Sequence, residues 1–352
     1  MADTGDHDRL VSTMTGGMAP DPAPFTGSDR LHPDGRPKDT LRDELRHVPV
    51  VRNIVTVATT AALPVLVVWA AVTLSHPVAW VLAVPAMALA QNRLFILHHE
   101  AAHRMLFPNR RLNDLVGITL IGWLTFGTGS HGYRLGHVNH HRDEFGPKEP
   151  DFLLYALYPV SRQSMRRKLV RDATGVSAFR IVRPRFQRLG NARHRRLTLM
   201  FLAGQALIAT VFWATGHPWL YLFLWVVPWV FLYQVLNRIR AIAEHGGMTR
   251  SSDRRRASRH VCQTPLAQAL LVPCNVGYHV AHHVDPTVPM RHLPRLHHVL
   301  VEDGYLTEDL VWPSYRDLWR ALAAGPGPQG TAAWPAPVPN LRCRPPRQRQ
   351  GS

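Results

Sequence analysis

Histidines in three short clusters are the residues of this sequence best suited to chemistry. The clusters read HHEAAH at 98–103, HVNHH at 137–141 and HVAHH at 279–283, and they hold nine of the 21 histidines in the 352-residue chain. Side chains at positions i and i+4 share one face of a helix, so His99 and His103 can reach the same metal ion. In each of the other two clusters, the pair three residues apart faces one way, while the adjacent histidine can turn towards a neighbouring ion.

A metal site with many imidazoles follows from these clusters. His245, in AIAEHGG, adds a candidate outside them, whereas His98 lies five residues before His103 and is expected beside the ligands rather than among them. Nine imidazoles are too many for one tetrahedral zinc and suit two ions with about four or five ligands each. Two neighbouring redox-active metals are what the activation of dioxygen requires. The nine candidate ligands are His99, His103, His137, His140, His141, His245, His279, His282 and His283.

Two long uncharged segments must position these clusters. No Asp, Glu, Lys or Arg occurs in residues 53–92 or in residues 197–237. A single helix of about 40 residues would extend about 60 Å, twice the hydrocarbon thickness of a bilayer. Each segment has a break that lets it fold back, Ser75-His76-Pro77 in the first and Gly216-His217-Pro218 in the second. The sequence therefore predicts two helical hairpins, with spans at about 53–74, 78–96, 197–215 and 219–237.

Basic residues flank the uncharged segments. The chain has 41 Lys and Arg against 24 Asp and Glu, a net charge of +17, with fourteen of the basic residues in 142–196 and seven in 238–259. The positive-inside rule places such residues on the cytoplasmic side of a membrane. We therefore expect an integral, multi-pass membrane protein with both termini and the metal site in the cytoplasm. Nucleic acid is not an expected partner, because the sequence has no zinc-finger or RNA-binding motif.

The two ends of the chain differ in composition from its middle. Residues 1–48 are polar and rich in Pro, Asp and Gly, and residues 321–352 are basic and rich in Pro. Such segments bury little apolar surface, so we expect both to be disordered. This leaves residues 49–320 as the predicted membrane domain.

The histidine clusters and their surroundings form a longer pattern. HEAAH, HVNHH and NVGYHVAHH occur in that order and are followed by Pro286, Pro289 and LPRLH at 293–297. Over about residues 50–300 this pattern resembles the membrane fatty acid desaturase superfamily, which also includes sphingolipid desaturases, alkane hydroxylases, and carotenoid ketolases and hydroxylases. The resemblance implies an all-α, polytopic membrane protein with two transmembrane helical hairpins and a cytoplasmic helical cap that holds a di-metal site.

The resemblance also implies roles for individual residues. The eight histidines at 99, 103, 137, 140, 141, 279, 282 and 283 match the histidine boxes of the superfamily, and His245 matches an extra histidine after the last hairpin. The metals would be two iron ions. Polar groups that could fix the orientation of the imidazoles are His98, Glu100, Asp143, Glu244 and Asn275.

The implied reaction is the O2-dependent desaturation of a fatty-acyl or other lipid chain, with O2 as co-substrate. Hydroxylation or ketone formation on a lipid, alkane or carotenoid is an alternative within the same superfamily. The sequence has no flavin or dinucleotide motif, no Cys-x-x-Cys pair and no fused haem domain. Electrons would therefore come from a separate carrier, such as ferredoxin with its reductase, which could dock on the basic face.

Two functions of other classes are alternatives to an oxygenase. An intramembrane zinc metalloprotease would use His99 and His103 as ligands and Glu100 to activate water, but it leaves the other clustered histidines unexplained. A metal transporter would place ionisable groups inside the spans, whereas this sequence places them just outside, apart from Arg93 near the end of a span.

Overall fold

The computed structural model describes residues 11–325 in two compact units. Among the described residues, one unit comprises 11–47, 136–165 and 239–325, and we call it the histidine unit. The other comprises 48–135 and 166–238, and we call it the span unit.

Four helices of the chain are long and apolar enough to cross a membrane, as the sequence predicts. Their mean hydropathy lies between 1.4 and 2.1. Large apolar side chains such as Trp69, Val81 and Trp213 are exposed on them, as contact with lipid requires. The four candidates are Asp39–Leu74, Pro77–Ala102, Ala192–Ala214 and Tyr221–His245.

Both predicted breaks coincide with helix ends. The helix Val50–Leu74 ends at Ser75, whose φ of 45° is left-handed. The Nδ1 atom of His76 accepts a backbone hydrogen bond of 3.2 Å at the start of the next helix, and Pro77 takes the first helical position, where a missing N–H is tolerated. Gly216 has a φ of 78°, which glycine adopts without strain.

The fourth candidate span departs from regular α-helix. Tyr221–Val226 and Trp229–Tyr233 are π-helical, and Gln234–His245 is α-helical. Pro228 lies between the two π-helical segments, where proline removes a backbone donor and crowds the preceding turn. Segments of π-helix concentrate at functional sites, and this helix ends on a candidate ligand, His245.

Shorter helices complete the span unit. Gly117, on one of them, approaches the helix Pro77–Ala102 so closely that a Cβ at position 117 would overlap Ala101. Glycine is therefore required at that contact. The helix Arg162–Ala173 begins in the histidine unit. The other short helices are Arg110–Asn113, Asp114–Leu120 in π conformation, Ile121–Leu124 and Val176–Gln187.

The histidine unit is also mainly helical. A two-residue parallel pair, His260–Val261 with Val311–Trp312, is a small departure from the predicted all-α fold. Helices Gly132–Arg142 and Gln234–His245 begin before the boundary of this unit. Its other helices are Asp39–Leu45, Phe152–Tyr155, Arg254–Ala257, Pro265–Leu270, His279–Val284, Leu293–Glu302, the short 3-10 helix Glu308–Leu310 and Tyr315–Leu322.

The described part of the N-terminal segment is ordered, whereas the sequence predicts disorder. Leu31 and Leu45 are fully buried in the histidine unit, and the Met18 amide donates to the Gly247 carbonyl at 2.8 Å. Isolated apolar residues in a polar segment give no periodic pattern, so the sequence alone did not indicate their burial. Of the predicted disordered tail, residues 321–325 are described at the end of the helix Tyr315–Leu322, and residues 326–352 lie outside the described residues.

Candidate metal centre

Seven of the nine candidate ligands lie in the histidine unit, on three helices. His137, His140 and His141 are on the helix Gly132–Arg142, and His245 is the last residue of Gln234–His245. The helix His279–Val284 carries the other three, His279, His282 and His283. All seven are buried.

Four of these histidines form one set, which we call set A. Each offers a ring nitrogen, and the four nitrogens lie within 4.8 Å of one another. The closest pair is Nε2 of His279 and Nε2 of His245, at 2.8 Å. Such convergence of imidazole nitrogens suits a single ion with four ligands. The members of set A are His140, His245, His279 and His283.

His137, His141 and His282 form a second set, which we call set B. Their ligand nitrogens also lie within 4.8 Å of one another. The Nε2 atoms of His137 and His141 are 3.1 Å apart, and the rings of His141 and His282 are 4.6 Å apart between centroids.

The two sets adjoin each other. The rings of His141, in set B, and His283, in set A, stack with centroids 4.2 Å apart. Glu144 joins this contact, with a carboxylate oxygen within 4.8 Å of a ring nitrogen of each. Ions held by the two sets would therefore be neighbours.

The other two candidate ligands lie in the span unit. His99 is near the end of the helix Pro77–Ala102 and His103 caps it, and their ring centroids are 5.1 Å apart. The two rings therefore lie next to each other, as the spacing of four residues predicts. His98, on the same helix, hydrogen-bonds through Nδ1 to the Gly117 carbonyl at 2.8 Å, which agrees with its predicted place off the ligand face.

Two carboxylates that the sequence does not single out bind the imidazoles of candidate ligands. Glu149 accepts from Nδ1 of His140 at 2.9 Å, and Glu144 accepts from Nδ1 of His283. A proton kept on Nδ1 leaves Nε2 as the metal-binding atom. The signal was present in the sequence, because four acidic residues occur within the ten residues RDEFGPKEPD that follow the last histidine of the second cluster.

Some of the polar groups predicted to orient the imidazoles contact other residues instead. Asp143 pairs with Arg250 at 2.8 Å, and Asn275 donates to the Met290 carbonyl at 3.1 Å. A Glu244 carboxylate oxygen is 3.7 Å from Nδ1 of His279, too far for a direct hydrogen bond. Glu100 is buried on the helix Pro77–Ala102 of the span unit.

Burial and neighbouring charge determine the protonation of these groups. Burial lowers the pKa of His279 and His283 well below the usual 6.5, which favours the neutral imidazole that binds metals. Burial also disfavours the charged form of His140. The hydrogen bond to Glu149 and the nearby acidic groups together outweigh this effect and raise the pKa of His140 to about 9. Burial raises the pKa of Glu144 to about 7, although Arg254 opposes this.

The donor atoms fit iron. Imidazole is a ligand that iron accepts readily, and Nε2 of His283 is buried without a hydrogen-bond partner among the described residues. A buried polar atom left unpaired is costly, and a bound cation would satisfy it.

Comparison with known proteins agrees with this chemistry. The family model for fatty acid desaturases matches residues 75–315. The chain belongs to the fatty acid desaturase family. One relative is the dihydrorhizobitoxine desaturase of Bradyrhizobium elkanii, which is 26% identical over 250 residues, covering 66% of this chain and 70% of that protein. Membership of this family supports an oxidoreductase of the desaturase type.

Proposed function

We propose that this desaturase-family protein is a membrane di-iron enzyme that uses O2 and external electrons to introduce a double bond into a fatty-acyl or other lipid chain. The observation that carries the proposal is the pair of adjoining, buried histidine sets in the histidine unit. A single zinc site, as in a metalloprotease, would use only one set and leave the other unexplained.

The proposed ligands include His99 and His103 as well as sets A and B. The i, i+4 spacing of these two residues and their match to the first histidine box support this assignment. Iron, when bound, supplies the activation of O2 that removes hydrogen from an unactivated C–H bond.

The protein's own groups would prepare the site in three ways. Glu149 and Glu144 hold protons on Nδ1 of His140 and His283, so that Nε2 of each ring is presented. Burial keeps His279 neutral. Burial also excludes water, which protects a reactive centre from side reactions.

The stoichiometry of desaturation shows that the enzyme needs electrons and protons in addition to O2. Desaturation converts a –CH2–CH2– unit, O2, two electrons and two protons into –CH=CH– and two waters. Because the sequence has no flavin or haem motif, we propose that a separate carrier such as ferredoxin, with its reductase, delivers the electrons on the cytoplasmic side.

Mass spectrometry of lipids tests the proposal directly. Membranes of cells that express the protein are compared with membranes of cells that express His282→Ala. Desaturation predicts products about 2 Da lighter than the substrate, and hydroxylation predicts products about 16 Da heavier. A lipid profile identical to that of the His282→Ala cells, with both proteins present in the membrane, would contradict an oxidative function on lipids.

A further inference from the structure

The helix Val176–Gln187 of the span unit exposes large apolar side chains. Val176, Phe179 and Phe186 are 39%, 62% and 41% exposed. Their spacing of three and seven residues places them on one face of the helix. A run of exposed aromatic and aliphatic side chains on one face indicates a surface that contacts a partner.

The opposite face fixes this helix in place. Ala178 is buried, and the Arg185 guanidinium donates to the Phe126 carbonyl at 2.9 Å. The same guanidinium lies 4.5 Å from the ring centroid of Phe201. The apolar face is therefore directed outward by packing within the span unit.

Charge identifies the chemistry of the partner. Residues 173–196 contain seven arginines and no Asp or Glu. Arg180, Arg183 and Arg188 are exposed, and the Arg183 guanidinium lies 6.0 Å from the ring centroid of Phe179. Arginines interleaved with aromatic side chains are typical of helices that lie at the surface of an anionic membrane.

The position of the helix in the chain agrees with a membrane surface. Only residues 188–191 separate it from the helix Ala192–Ala214, a candidate span. Four residues reach at most about 14 Å, so the entry point of that span limits how far Val176–Gln187 can lie from the lipid headgroups. Asn191 caps the span by accepting from the Arg193 amide at 3.0 Å.

We propose that the exposed face of Val176–Gln187 binds anionic phospholipid headgroups, with Phe179 and Phe186 at the boundary of the acyl chains and Arg180 and Arg183 on phosphates. An acidic soluble protein would match the arginines but would leave the aromatic side chains without a role. The proposal depends on the spanning helices and not on the metal chemistry, so its failure would leave the proposed oxidation intact.

Titration with phosphatidylglycerol tests the arginines. The full-length protein in detergent is compared with Arg180→Gln/Arg183→Gln and with a matched control of equal charge change, Arg316→Gln/Arg320→Gln, on an exposed face of the histidine unit. Native mass spectrometry gives the apparent Kd for the lipid. Each arginine near an anionic surface is worth about fivefold, so we expect about 25-fold weaker binding for the first variant and no change for the control. Equal Kd values for all three proteins would overturn the proposal.

Photo-crosslinking identifies what covers the aromatic face. A benzophenone side chain is incorporated in place of Phe179, and in place of Val301, an exposed residue of the histidine unit, as a control. A single symmetric peak in size-exclusion chromatography before irradiation shows that each protein is folded. We expect phospholipid adducts at position 179 and at most traces at position 301. A protein adduct in place of lipid at position 179 would overturn the proposal.

Discussion

The carboxylate of Glu149 accepts the Nδ1 proton of His140, with oxygen–nitrogen distances of 2.9 and 3.0 Å. The two residues are nine positions apart and both are buried. This contact leaves Nε2 of His140 as the nitrogen that would bind a metal, and it leads to the first prediction.

Glu149→Ala should weaken iron binding about 10- to 100-fold, because His140 loses the group that holds its tautomer and ring orientation. Iron content after dialysis against a graded chelator measures the effect. Asp143→Ala removes a carboxylate that pairs with Arg250 instead, so it serves as the control and should retain iron. Equal iron retention by both variants would contradict the role of Glu149.

His140→Ala and His282→Ala should each abolish turnover and lower iron content while the protein still inserts into the membrane. They remove one ligand from set A and one from set B, respectively. His131 is 58% exposed on its side chain and belongs to neither set, so His131→Ala should be tolerated. Activity retained by either ligand variant would show the ligand assignment to be wrong.

Purified protein should contain about two irons per chain, and removal of the iron should destabilise it. A ligand present at about 1,000 times its Kd stabilises the folded state by about 4 kcal/mol, so the apparent Tm should fall on chelation and recover on addition of Fe2+. Elemental analysis and thermal unfolding in detergent measure both quantities. One zinc per chain in place of iron would favour the metalloprotease alternative.

Gly117→Ala should destabilise the span unit by about 1–3 kcal/mol, because the added methyl group overlaps Ala101 and the helices must separate. Gly132→Ala is the control, since its Cβ would meet only Ser130 Oγ, at 3.5 Å. Thermal unfolding of the two variants in the same detergent compares them. Identical unfolding temperatures would contradict the close approach at Gly117.

His297 predicts a pH dependence of stability. Burial lowers its pKa from 6.5 to about 3, and its ring stacks on His260 with centroids 4.0 Å apart. Between pH 6.5 and 3 the unfolded chain binds a proton there and the folded chain does not, so stability falls as pH falls, by about 1.4 kcal/mol per unit.

His297→Phe keeps a ring on His260 and removes this proton. Denaturant titration between pH 6 and 4 gives the slope of the free energy of unfolding against pH. In the variant this slope should be smaller by about 1.4 kcal/mol per pH unit, which is the contribution of one proton. An unchanged slope would show that His297 is accessible to protons in the folded state.

The sequence indicated the elements better than the contacts between them. Uncharged length and the breaks at Ser75 and Gly216 indicated four apolar helices, because these are local properties of the chain. Histidine spacing likewise indicated which imidazoles share a helix face. Local patterns do not specify which distant group meets an imidazole. The sequence therefore did not indicate the roles of Glu149 and of Glu144, which binds a histidine 139 positions away. It predicted that Asn275 orients an imidazole, whereas Asn275 donates to the Met290 carbonyl.

Two helices contribute to both histidine sets. Gly132–Arg142 supplies His140 to set A and His137 and His141 to set B, and His279–Val284 supplies His279 and His283 to set A and His282 to set B. Binding of one ion would fix the rotation of both helices and so organise ligands for the other. Loading with iron should therefore be cooperative, and protein with a single ion should be scarce at every stage of a titration.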